Sequence, residues 1–117
     1  MVGMQVHYLE IVTDDVDAVC ATYGKTYGVT FGKPVAELGN ARTADLAGGG
    51  SVGVRAPMHA TEQPIVRPYL RVEDIDAATQ AAAGAGAEIA HPPMELPGLG
   101  KFAIVIQGGV HHGLWQV

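Results

Sequence analysis

The sequence predicts an α+β domain built from two copies of a βαβββ module, and two observations carry that prediction. Tyr8-Leu9-Glu10-Ile11 runs into Asp14-Asp15-Val16-Asp17-Ala18, and later Tyr69-Leu70-Arg71-Val72 runs into Glu73-Asp74-Ile75-Asp76-Ala77, each a strand pattern entering an acidic helix start. Each helix pattern is then followed by three short strand-like runs separated by turn residues. At 117 residues the chain is limited to one compact domain. A domain of this length buries roughly two thirds of its unfolded surface, which is enough for a core without disulfides or structural metal.

In the first module, Met4 to Val12 is rich in β-branched and large apolar residues and reads as a strand. Asp14 or Asp15 can cap the helix that follows, where acidic side chains favour the first turn. Val16, Val19, Cys20 and Tyr23 fall on one helical face, and Gly28 closes it. Val29 to Glu37, Ala41 to Leu46 and Ser51 to Arg55 follow as strands, with Leu38-Gly39-Asn40 and Gly48-Gly49-Gly50 as the hairpin loops between them.

Residues 56–63 lack apolar periodicity, with Pro57 at one end and Pro64 just past the other, which makes them the natural linker between a first module of about 1–55 and a second of about 64–117. In the second module Ile65 to Val72 is a strand, and Asp74 to about Ala83 a helix with Ile75, Ala78 and Ala82 inward, ended by Gly84 and Gly86. Ala87 to Ala90, Lys101 to Ile106 and Val110 to Val117 complete the strands. His91 to Gly100, rich in proline and glycine, is expected to be an irregular connection.

Composition narrows the function. The net charge is −5, and the 7 Lys and Arg residues are scattered, so the electrostatic footprint of a nucleic-acid or anionic-membrane binder is missing. Small molecules and other proteins are the expected partners. Cys20 is the single cysteine, which excludes an intrachain disulfide and a multi-thiolate zinc site and points to a reduced, cytoplasmic setting. The first twelve residues do not read as a signal peptide, and no apolar run reaches the roughly 18 residues of a membrane span.

Several pieces together resemble the vicinal oxygen chelate superfamily, the fold of glyoxalases, bleomycin-resistance proteins and certain dioxygenases. They are Asp14-Asp15, Tyr23, Gly28 and Phe31 in the first module, Val72 to Ala77 in the second, Glu95 to Ala103 as a late loop and strand, and the tail Gly113-Leu114-Trp115-Gln116. The resemblance implies one curled eight-stranded mixed sheet around a cavity, with both helices outside. It also implies a homodimer, and Leu96 to Lys101 as a lid at the cavity mouth. Members of the superfamily include metal-dependent isomerases, lyases and dioxygenases as well as metal-free drug-sequestering proteins, so the site must decide function.

By resemblance, metal ligands come from the first and last strands of each module. Those positions fall on Tyr8 (with His7 one residue away), on Gly53 or its neighbours Val54 and Arg55, on Arg67 and on Gly113. Arginine is permanently charged and cannot ligate a cation, and glycine has no side-chain donor. No cofactor is therefore expected, with His7 as the fallback ligand if a divalent metal is present.

Strand alternation places His7, Leu9 and Ile11 on one face and Tyr8 and Glu10 on the other. Leu9 and Ile11 suit the face under the helix, which makes His7 a core or edge histidine. In the second module Arg67, Tyr69 and Arg71 share the face turned from the helix. With Arg55, His111 and Trp115 they make a ligand-binding set of Tyr8, Glu10, Arg55, Arg67, Tyr69, Arg71, His111 and Trp115 that favours an anionic or aromatic ligand. The plainer alternative is that Glu10 pairs with Arg71 and the arginines are solvated.

His111 and His112 point to opposite faces, His111 with Gly113 and Trp115. His59 and His91 read as loop residues and Cys20 as an inert buried thiol, and neither glycine-rich stretch has phosphate-loop spacing. Two functions, beside a purely structural dimer, follow from this reading. One is a metal-free small-molecule binder. The other is an enzyme: a metal-dependent lyase, isomerase or dioxygenase with a divergent site, or a metal-free isomerase using Glu10 or His111 for proton transfer.

Overall fold

The computed structural model describes residues 3–117. Its contacts divide the chain into two compact units, residues 8–66 and a second built from the stretch ending at His7 together with Arg67–Val117. In the first unit β1 (Val6–Val12), α1 (Val16–Tyr27), β2 (Arg42–Asp45) and β3 (Ser51–Arg55) follow one another. β3 runs parallel to β1 and antiparallel to β2. A parallel pair needs a long crossover, and α1 with the segment after it supplies that crossover.

Leu9 and Ile11 of β1 pack with Val16, Val19, Cys20 and Tyr23 of α1, the face that the sequence period indicates. Gly28 ends α1 at φ +70°, a left-handed conformation open to glycine at little cost, and its N–H caps the Gly24 carbonyl at 2.9 Å.

Val29 to Glu37 forms no strand, so the described residues hold seven strands where the sequence led us to expect eight. The cause is local. Phe31 turns into the core and Pro34 has no N–H to give a ladder, leaving one isolated bridge between Val35 and Ala41. The side chain of Arg42 takes up the carbonyls of Gly32 and Phe31, at 3.0 and 3.3 Å, and also the Asp17 carboxylate at 3.0 Å. The chain then turns through one short 3-10 helix, Ala36–Leu38.

The second unit contains β4 (Ile65–Arg71), α2 (Ile75–Gly84), β5 (Glu88–Leu96), β6 (Gly100–Gln107) and β7 (Val110–Gln116). β4 is parallel to β7, which is antiparallel to β6, which is antiparallel to β5. Ile75, Ala78 and Ala82 of α2 pack on Ala103, Val105 and Leu114, as the helical spacing predicts. The Asp74 carboxylate accepts the Ala77 N–H at 3.0 Å and caps α2. Asp74→Ala is expected to cost about 1 kcal/mol, read as a lower urea midpoint at unchanged slope.

The expected irregular connection at residues 91–100 is corrected. β5 extends through His91, Pro92 and Pro93 to Leu96, leaving Pro97 to Leu99 as the turn. Two conditions admit the prolines: β5 is the last strand in its sheet order, and its register with β6 slips between Ile89 and His91 and again before Met94. Among the described residues no helix is long and apolar enough to cross a membrane.

Candidate ligand site

In the first unit the face of β1 turned away from α1 carries Tyr8 and Glu10, and β3 delivers Arg55 to the same cluster. The Arg55 Nε donates to Glu10 Oε2 at 2.9 Å, while its two terminal nitrogens donate to Glu62 Oε1 and Oε2 at 2.8 and 2.7 Å. One of them also reaches the Ala56 carbonyl at 3.1 Å. Such a two-pronged guanidinium–carboxylate pair is the strong form of a charge-assisted bond.

These hydrogen bonds from Arg55 hold the Glu62 carboxyl down at about 2, against the opposing effect of burial, and the Met58 N–H adds to them. Hydrogen bonding to Glu62 correspondingly raises the Arg55 guanidinium above its ordinary value. The carboxylate in the stretch expected to be a linker is thus a structural anchor. Its sequence signal is faint: it is the one acidic residue between Arg55 and Pro64. Within this unit Glu10 is bonded by Arg55, a partner that the sequence reading did not name.

In the second unit the sheet face opposite α2 is aromatic. Tyr69 meets Trp115 and Phe102 edge to face, at centroid distances of 5.8 and 6.2 Å. His91 stacks on Phe102 at 4.8 Å, so it belongs to a strand face rather than to a loop. Phe102 is a member of this face that sequence reasoning missed; its place opposite Trp115 on β7 could have revealed it. The Trp115 indole N–H donates to the Leu99 carbonyl at 3.2 Å, tying down the turn expected to act as a lid.

Arg67 lies at the same edge of β4 as Tyr69, one guanidinium nitrogen 3.5 Å from the Tyr69 hydroxyl. His7, expected as a core or edge histidine, is half-buried and sits 5.5 Å from the Trp115 ring. Burial, and then the nearby Arg71 charge, push its imidazole below the usual histidine range. His111 faces with Gly113 as expected, opposite Ile106, while His112 stands opposite Val105 on the α2 side. Cys20 lies in the α1 core, and burial raises its thiol, consistent with an inert group.

Matching the units at their helix starts makes Arg67 the counterpart of Tyr8, and Tyr69 the counterpart of Glu10. The Tyr-Leu likeness that first reveals the repeat is therefore two residues out of step. Of the eight expected ligand residues, Tyr8, Glu10, Arg55, Arg67, Tyr69 and Trp115 are each at most 8% exposed, whereas Arg71 is exposed and His111 half-buried.

Two glycines complete the geometry. A Cβ on Gly53 would collide with the Tyr8 hydroxyl and ring, and a Cβ on Gly113 would collide with the Tyr69 ring. Among the described residues no group of three or more His, Cys, Asp or Glu side chains is placed to hold a metal ion.

No family model matches the sequence. The chain is 30% identical over 98 residues to the "Putative glyoxylase CFP32" of Mycobacterium bovis, a match over 82% of this chain and 37% of that protein. The chain thus spans little more than a third of the length of that curated relative. Among solved structures, the hypothetical protein BH1468 of Bacillus halodurans superposes with a TM-score of 0.78 at 10% identity, covering 99% of this chain and 96% of that one. Methylmalonyl-CoA epimerase of Mycobacterium tuberculosis superposes with a TM-score of 0.72 at 16% identity, covering 95% and 86%.

Proposed function

Starting from a glyoxalase-like chain with the fold of the vicinal oxygen chelate superfamily, we propose that this protein binds a small anionic or aromatic molecule and does so without a resident metal. The observation that supports this reading most is the aromatic face of the second unit, where Tyr69, Phe102 and Trp115 meet edge to face within a sheet that also carries Arg67 and Arg71. Ring edges suit a planar ligand, and a guanidinium fork suits a carboxylate or phosphate. The donor set at the expected ligand positions, a phenol, Gly53 or its neighbours Val54 and Arg55, a guanidinium and a second glycine, does not fit a divalent cation.

The test is a titration with simple aromatic carboxylates, benzoate and salicylate first, beside a thermal melt of each variant. Arg67→Met and Arg71→Met are each expected to weaken binding by about 1.5–3 kcal/mol, the worth of a hydrogen bond to a charged group. The fold should survive Arg71→Met, because Arg71 is exposed. Binding by both variants equal to that of the parent chain would overturn the reading. Turnover that depends on Glu10 or His111 would favour the enzyme instead.

A further inference from the structure

In each unit a tyrosine ring lies over a glycine of the parallel neighbouring strand: Tyr8 over Gly53 between β1 and β3, and Tyr69 over Gly113 between β4 and β7. Two of the four positions at which the superfamily resemblance places metal ligands fall in each unit, Tyr8 and Gly53 (or its neighbours Val54 and Arg55) in one, Arg67 and Gly113 in the other. We propose that in each unit the tyrosine-over-glycine interlock closes the pair of metal-ligand positions that this unit would contribute, aromatic packing filling the space that a ligand side chain would need.

The argument is steric as well as chemical. Gly53 and Gly113 offer no donor, and no donor can be grown from them while the rings stay, because the first carbon of any side chain already collides with Tyr8 or Tyr69. Arg67 contributes only N–H donors and a fixed positive charge. The carboxylate nearest on the same strand face, Glu10, is bonded by the Arg55 guanidinium. In either unit a ligand side chain at the glycine position would need the tyrosine ring moved and the glycine replaced. The inference rests on the metal-free half of the proposed function and is independent of which ligand binds.

Two experiments test it. The first incubates the full chain with excess Mn2+, Co2+, Ni2+ or Zn2+, desalts it, and measures retained metal by elemental analysis, with the visible spectrum of the cobalt sample as a check on coordination. Substoichiometric metal and no cobalt ligand-field band are expected. One retained equivalent with such a band would overturn the proposal, whatever the outcome with benzoate.

The second compares Gly113→Ala, Tyr69→Ala and the double variant. Gly113→Ala should lower the melting temperature, and the same substitution should be nearly neutral in the Tyr69→Ala background, because the ring it strikes is gone. Equal losses in both backgrounds, or a Gly113→Ala protein that melts like the parent, would show that the interlock is not there. Should Gly113→Ala fail to fold, recovery of a folded double variant carries the same information.

Discussion

Arg55→Met is expected to destabilise the protein by about 3–5 kcal/mol, the cost of removing one partner from a buried ion pair. Arg55 is 2% exposed, and its guanidinium binds Glu10 and Glu62 together. Without it two carboxylates lose a hydrogen-bonded counter-charge at once. Glu62→Gln should cost less, since the amide keeps the shape and one acceptor while Arg55 keeps Glu10.

The same cluster predicts an acid limb. The folded-state value of Glu62 lies near 2, below its ordinary value of 4.5, so the stability it contributes is full above about pH 4.5 and is lost as the pH falls towards 2. Urea titrations of parent and Glu62→Gln at pH 7 and pH 3 should therefore converge at the lower pH. A gap between the two proteins that stays constant across that range would contradict this account, as would an Arg55→Met midpoint equal to that of the parent.

Gly100→Ala is the second large effect, at about 2–5 kcal/mol from backbone strain and overpacking together. Gly100 sits at φ +133°, where an L side chain is strained, and an added Cβ would strike the Gln116 carbonyl oxygen and lie 2.9 Å from the Trp115 indole nitrogen. Chemical denaturation reads the loss. A cost below 1 kcal/mol would mean that β6 and β7 can part at this end, which their continuous register through Lys101 and Gln116 argues against.

What the sequence made legible was whatever is written in local period and punctuation. Helix faces such as Val16-Val19-Cys20-Tyr23, the Gly28 stop and the strands before each helix all follow from spacing that a short window contains. Where a residue's fate depends on a partner distant in sequence, the reading slips. Phe31 and Arg42 together decide that Val29 to Glu37 is not a strand, and an edge position makes Pro92-Pro93 compatible with β5. The site behaves alike. Alternation correctly assigned Tyr8, Glu10 and Tyr69 to the faces away from the helices, but the bond from Arg55 to Glu62 and the stack of His91 on Phe102 each join a strand residue to one whose own neighbourhood signals only a loop.

The chain contains one tryptophan, and its surroundings make it an optical reporter built into the second unit. Trp115 gives its indole N–H to the Leu99 carbonyl, lies 5.8 Å from Tyr69 and stands 5.5 Å from the His7 ring. Emission excited at the red edge therefore comes from a single fluorophore whose wavelength tracks the turn at Leu99. Tyrosine excitation reaches it by energy transfer from a donor at contact range. Because burial pushes the His7 imidazole below the usual histidine range, a quenching step on acidification reports on that imidazole without any label.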